Sequence, residues 1–165
     1  MTYKYCPRCG QELSKRIIPD EGEIPYCEAC RKPFFMSSQV CVLVAVINEQ
    51  NHILLTKQKH ISNDKWILIS GYVKQGHNME ETVVREVKEE TGQEVRELQY
   101  ISSYYHEGSD LLMIGFAAFV TQKTIGSSHE IQEFGWFSAH DAAESIWKGS
   151  IAEKLLIKIR ERMEI

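Results

Sequence analysis

The apolar positions change period several times along the chain. Val40 to Ile47, "VCVLVAVI", is an unbroken apolar run rich in β-branched residues, the pattern of a strand buried on both faces. "NEQN" at 48–51 turns the chain into a second strand, "HILLTKQ", and "KWILISGYV" supplies a third that leads into Gly71. A loop over Gly76 to Asn78 follows. Met79 to Thr91 then contains neither Pro nor Gly; at about 100° per residue Glu86, Glu89 and Glu90 share one arc and Val83, Val84 and Val87 the next, with Glu90 and Val83 at the boundary. That spacing predicts an amphipathic helix. "VRELQYISSYYH" and "DLLMIGFAAFVTQ" predict two long strands joined by "EGS" at 107–109. A polar linker, "KTIGSSHE", leads to a short strand in "EFGWFS", and Ala139 to Ile165 reads as helix with Ile151, Leu155, Leu156 and Ile159 on one stripe. Strands, helix, strands and helix with hairpin-like connections predict a mixed sheet covered by helices, an α/β (mixed α+β) class.

The first 36 residues are of another kind. Four of the five cysteines form Cys6-x2-Cys9 and Cys27-x2-Cys30 with 17 residues between the pairs, and "CPRCG" has the Pro and Gly that shape a tight knuckle. This is the spacing of a four-thiolate zinc site, with paired disulfides or free thiols as the alternative. The expected division is a zinc ribbon over 1–36, too small to fold without its metal, and a larger domain over 37–165. Cys41 reads as a small apolar residue on a buried strand.

At 165 residues, 43% hydrophobic and 25% charged, the composition is that of an ordinary globular protein. A net charge of −4 argues against a general nucleic-acid patch and leaves any anionic substrate to be met by local cations. No apolar run reaches the length of a membrane span and "MTYKYCPRCG" lacks the apolar core of a signal peptide, so a cytoplasmic location is the expectation.

The candidate chemistry lies in "REVKEETG", residues 85–92. Glu86 and Glu90 are like charges one turn apart, which costs a few tenths of a kcal/mol, about 0.2 to 0.5, on an isolated helix. Glu90 also lies near the negative end of the helix dipole. A hard divalent cation turns this repulsion into attraction. On spacing alone, a cation site and a solvated acidic face both remain open.

Read over 71–92, "GYVKQGHNMEETVVREVKEETG" resembles the Nudix box, G-x5-E-x7-R-E-U-x-E-E-x-G-U with U aliphatic, through Gly71, Arg85, Glu86, Val87, Glu89, Glu90 and Gly92. His77 stands in place of the box Glu and Gln93 in place of an aliphatic residue. The resemblance implies an α/β/α Nudix sandwich with a mixed sheet. It also implies hydrolysis of a nucleoside diphosphate linked to another group, with Mg²⁺ or Mn²⁺ as catalytic metal, apart from the structural Zn²⁺ that the cysteine spacing predicts. A ribbon directly before such a domain resembles the NADH pyrophosphatase branch.

Carried over residue by residue, the resemblance makes Glu86 and Glu90 metal ligands, Glu89 a ligand or water-activating group, and the Gly71 carbonyl a further ligand. Arg85 becomes the partner of a glutamate, with a plain helical pair to Glu81 or Glu89 as the simpler reading. Glu130 in "HEIQEFGWF" is the candidate for one more metal carboxylate, Glu133 the second, and His129 a linker residue. Trp66, Tyr72 and Phe116 are candidates to stack on a base, as are Tyr104 and Tyr105. In the box, the position of His77 supports the helix and its Arg, so weakened activity is expected. The S-Q-P-W-P-F-P-x-S motif of NADH-cleaving relatives is absent from "SYYHEGSDLLMIGF", residues 103–116, where an acidic loop through Glu107 and Asp110 replaces it. A nucleotide-derived small molecule is the expected partner. A homodimer and RNA contact through the ribbon stay open. The contrasting class is a Nudix-like domain that binds nucleotides, RNA or protein without catalysis.

Overall fold

A computed structural model describes residues 3–35, 37–58, 65–124 and 131–164. Its contacts divide the chain into two compact units, Met1–Ser38 and Gln39–Ile165.

In the first unit β1 (Ser14–Ile18), β2 (Gly22–Cys27) and β3 (Lys32–Pro33) form an antiparallel sheet in that order. Cys6 and Cys27 are its only fully buried hydrophobic residues among those described. A unit with no aliphatic core of its own depends on what its cysteines bind. Glu28, inside the second knuckle, accepts from the Ser14 hydroxyl at 2.9 Å and from Arg16 Nη2 at 2.6 Å, which ties that knuckle to β1.

The second unit is built on β4 (Gln39–Ile47), β5 (Ile53–Gln58), β6 (Ile69–Tyr72), β7 (Val95–His106), β8 (Leu111–Val120) and β9 (Ile131–Phe137). The order is β7-β8-β4-β5-β9, with β6 also on β4; β4 and β8 are parallel and the other pairs antiparallel, so the sheet is mixed. One edge of β4 serves two partners. Its first half pairs with β6 (Val42 opposite Gly71, Leu43 opposite Ser70), and its end pairs with β5 (Val46 opposite Leu54).

Strict alternation along β4 feeds two cores. Val42, Val44 and Val46 pack under α1 (Met79–Thr91) with Val83 and Val87. Leu43, Ala45 and Ile47 pack on the other face with Leu155, Leu156 and Ile159 of α3 (Ile151–Met163) and with α2 (Ala139–Ser145). The result is the expected helix/sheet/helix sandwich. Each fully buried Val or Leu contributes on the order of 2 kcal/mol of hydrophobic burial.

Helix α1 has the bounds its sequence predicts because both ends are signalled. The Asn78 side chain accepts from the Glu81 N–H while Glu81 returns a bond to the Asn78 N–H, and Gly92 at φ 71° closes the helix. The C-terminal tail departs from the single helix expected. It breaks at 146–150, where Gly149 adopts φ 75° and Ser150 starts α3 by capping the Glu153 N–H. The stripe from Ile151 to Ile159 belongs to α3 alone. No helix among the described residues is long and apolar enough to cross a membrane.

Gln93, the departure from an aliphatic box position, is fully buried. Its Nε2 donates to the Lys123 carbonyl at 2.9 Å and its Oε1 accepts from the Lys123 N–H at 2.8 Å. The side-chain amide thus pairs with main chain as a neighbouring strand would, tying the end of α1 to the segment after β8. Gln93→Leu restores the aliphatic pattern but leaves these two backbone groups without their partner, which costs about 1–3 kcal/mol. Thermal or urea unfolding should show a less stable protein. A variant as stable as the parent would contradict this account of Gln93.

Candidate active site and thiolate centre

The box residues meet where β6 passes beneath α1. Gly71 lies on the α1 face of the sheet, and a Cβ built on it would overlap Cγ, Cδ and Oε1 of Glu86. Only glycine leaves this seat open. Glu86 is thereby fixed in a largely buried position, with its side chain 14% exposed, and its Oε1 accepts from Arg85 Nη2 at 2.7 Å. Arg85 Nη1 donates to Glu89 Oε2 at 2.9 Å. The guanidinium bridges two carboxylates instead of doubling on one, which combines the glutamate-holding role with the helical pair to Glu89. These two anions raise the Arg85 pKa further, against the opposing effect of its burial. Glu90 is buried at 7% exposure, and its Oε2 accepts from Gln58 Nε2 of β5 at 3.1 Å.

The three glutamates are therefore not drawn to one point. Like charges repel, and each takes a donor in reach: Arg85 for Glu86 and Glu89, Gln58 for Glu90. Their chemistry nevertheless fits a hard divalent cation, since they offer carboxylate oxygens on one helix, with Glu86 held over the backbone of Gly71. Glu130 and His129 lie outside the described residues. Glu133, the second candidate, pairs with Lys57 Nζ at 2.6 Å across β5 and β9. His77 Nδ1 lies 3.6 Å from Glu81 Oε2, and Arg85 finds its described partners in Glu86 and Glu89 instead. The expected support of Arg85 from position 77 is not among the described contacts, because His77 is taken up at the helix start.

On the opposite face of the same sheet is a cavity of about 640 Å³. Its floor is apolar, with Leu43, Leu68 and Met113, and its polar groups include Ser70, His106, Glu107 and Lys154. Trp66 and Trp147 both line it. Trp66 is braced from behind: Phe137 meets it edge to face at 4.9 Å, and Lys57 Nζ lies 4.5 Å from its ring centroid. Phe116 is instead 3% exposed in the core under α1, packed edge to face on Tyr100, so it supplies packing and no stacking surface. Tyr72 is exposed at the end of β6, Tyr105 lines the cavity, and Tyr104 packs against the core beneath α3. Sequence reasoning missed Trp147, because the helix break that presents it was read as continuous helix; Gly149 was the available signal. β6 links the two faces, since Ser70 lines the cavity and the adjoining Gly71 seats Glu86.

In the first unit the four cysteines converge, with their Sγ atoms all within 4.8 Å of one another. Cys6 and Cys30 Sγ are 3.9 Å apart, and Cys9 and Cys27 Sγ 3.5 Å. A tetrahedral zinc with Zn–S bonds of about 2.3 Å requires sulfurs roughly 3.8 Å apart. The tetrad therefore fits that ion. The crowded thiols differ widely in acidity. Burial raises Cys6, but the Arg8 and Cys9 backbone N–H groups outweigh it and bring the thiol down to about 7, whereas the Cys9 thiol and burial push Cys30 up to about 12.

Gly71→Ala should displace the Glu86 carboxylate while leaving α1 folded. Calorimetric titration with Mn²⁺ should then show affinity weakened by about tenfold or more, with unchanged far-UV dichroism. Unaltered Mn²⁺ binding would show that Glu86 does not need this seat.

A family model for the NUDIX domain matches residues 37–156. The NAD-capped RNA hydrolase NudC of Escherichia coli is 29% identical over 157 residues, which cover 94% of this chain and 59% of that protein. The NudC of Vibrio vulnificus is also 29% identical, over 156 residues, covering 94% and 58%. The chain thus spans about three-fifths of the length of these relatives. Among solved structures, a NUDIX hydrolase from Nitrosomonas europaea superposes with a TM-score of 0.69 at 20% identity, over 98% of this chain and 93% of that one. The NUDIX domain of Shewanella oneidensis NrtR, solved with ADP ribose, gives 0.66 at 14% identity, covering 84% and 94%. These likenesses establish the shared fold. With the family match running through β4 to α3 and the box glutamates seated on α1, the chain belongs to the Nudix family.

Proposed function

We propose that this protein hydrolyses the diphosphate linkage of a nucleoside diphosphate derivative, using Mg²⁺ or Mn²⁺ held by Glu86 and Glu90. The observation that carries the reading is the Glu86 carboxylate in the seat left by Gly71, on the same helix face as the buried Glu90. A divalent cation at that place supplies charge neutralisation for the diphosphate and lowers the pKa of bound water. The chain's own residues do the rest. Arg85 holds Glu86 and Glu89 in register, and Glu89, with its side chain 60% exposed, is the carboxylate that meets water and accepts its proton. Water oxygen bonds to one phosphorus, the bridging P–O bond breaks, and the leaving phosphate departs with the electron pair.

The cavity suits the nucleoside, with the braced Trp66 and Trp147 offering ring faces for a base. Glu107 at its polar side disfavours additional phosphates there. NADH is accordingly a poorer substrate than a smaller nucleoside diphosphate derivative such as an ADP-sugar. The names of the NudC relatives support NAD-like chemistry in the wider group, so the substrate order is the discriminating test. His77, standing where the box has Glu, favours one competing reading, a nucleotide sensor that binds without cleaving.

Product release from NADH, ADP-ribose, an ADP-sugar and the common triphosphates, with Mg²⁺ and with Mn²⁺, should show cleavage led by an ADP-sugar or a triphosphate, with NADH poor. Glu90→Gln should lower kcat by about two orders of magnitude or more. NADH leading the panel tenfold, about 1.4 kcal/mol of transition-state preference, overturns the substrate assignment. Binding with no product from any compound supports the sensor. For the first unit, metal analysis should find about one zinc per chain, lost with Cys6→Ser or Cys27→Ser. Chelation should abolish its structure while the second unit's sheet persists; protein prepared without chelator and free of zinc would contradict this.

A further inference from the structure

β5 ends on two residues that serve opposite faces of the sheet. Lys57 reaches Glu133 and the Trp66 ring on the cavity face, while Gln58 reaches Glu90 on the α1 face. The register of β5 against β9 shifts between these two residues, Lys57 standing opposite Glu133 and Gln58 opposite Ile131. The skipped position lies on β9, between Ile131 and Glu133, while β5 runs on from Lys57 to Gln58 without an extra residue.

We propose that Gln58 is a positioning residue: its amide sets the orientation in which the Glu90 carboxylate meets the divalent cation. This rests on the reading of the α1 glutamates as the cation site. Three observations carry it. The 3.1 Å bond runs from an uncharged donor, so it orients Glu90 without competing as a cation would. Glu90 is 7% exposed, and a buried carboxylate with a fixed donor has few orientations left to it. Gln58 is the last residue of β5 and stands on the α1 face, where Lys57 stands on the other. Carboxylates that bind metals are commonly held by such outer hydrogen bonds, and removal of one typically costs ten- to a hundredfold in metal affinity. Glu86 has its glycine seat and Arg85; Gln58 supplies a corresponding restraint on Glu90, reached from a strand 32 positions earlier in the chain.

The readout is Mn²⁺ affinity of the zinc-loaded, substrate-free protein by calorimetry, together with melting temperature. Gln58→Leu and Gln58→Met, which remove the donor at similar volume, should each weaken Mn²⁺ binding by about ten- to a hundredfold. Gln58→His carries a ring N–H as many bonds from Cβ as the amide nitrogen, and it should stay within about threefold of the parent. Glu90→Gln, the reference, should bind more weakly than any of them. If Gln58→Leu or Gln58→Met binds Mn²⁺ like the parent while Glu90→Gln does not, the amide merely packs and the inference fails. Equal weakness of Gln58→His and Gln58→Leu overturns it too, because the donor would then be irrelevant. Parent-like binding by Glu90→Gln instead removes the cation site itself.

Discussion

The carboxylate of Glu86 occupies the space that a side chain on residue 71 would need. This exclusion links a strand to a helix that packs across it, and the geometry of the box follows from it. β6 must run close under α1, so α1 must bury Val83 and Val87 against β4. Arg85 must then turn outward to bridge Glu86 and Glu89. A helix with three neighbouring glutamates pays an electrostatic cost that an apolar face and two good caps offset.

The sheet divides labour by alternation. On β6, Gly71 serves the acidic face and Ser70 the cavity; on β5, Gln58 serves the acidic face and Lys57 the cavity. Residues adjacent in sequence thereby serve the glutamate cluster on one face and the cavity on the other. Along one edge of β4 the partner changes from β6 to β5.

Much of this was legible because its signals are local. The bounds of α1 follow from Asn78, Glu81 and Gly92, and β7 runs over the residues its apolar pattern marks. The cysteine tetrad announces itself by spacing. What was not legible depends on pairings between distant elements. Ile114 to Ala118 of β8 are buried without a break, so alternation gives no clue to which face an aromatic there takes, and Phe116 lies in the core under α1. Gln93 stands in an aliphatic position of the box, and its amide closes two bonds to Lys123, 30 residues away, which no local pattern signals. The helical tail was misread because its hydrophobic stripe lies wholly in α3 and says nothing about the residues before Gly149.

The central claim is that Glu86 and Glu90 together hold a divalent cation. Diffraction from crystals grown with Mn²⁺, recorded near the manganese absorption edge, tests it without reliance on turnover. An anomalous peak bonded to carboxylate oxygens of both Glu86 and Glu90 is the predicted result. A peak on neither, with manganese found elsewhere or not at all, would contradict the account.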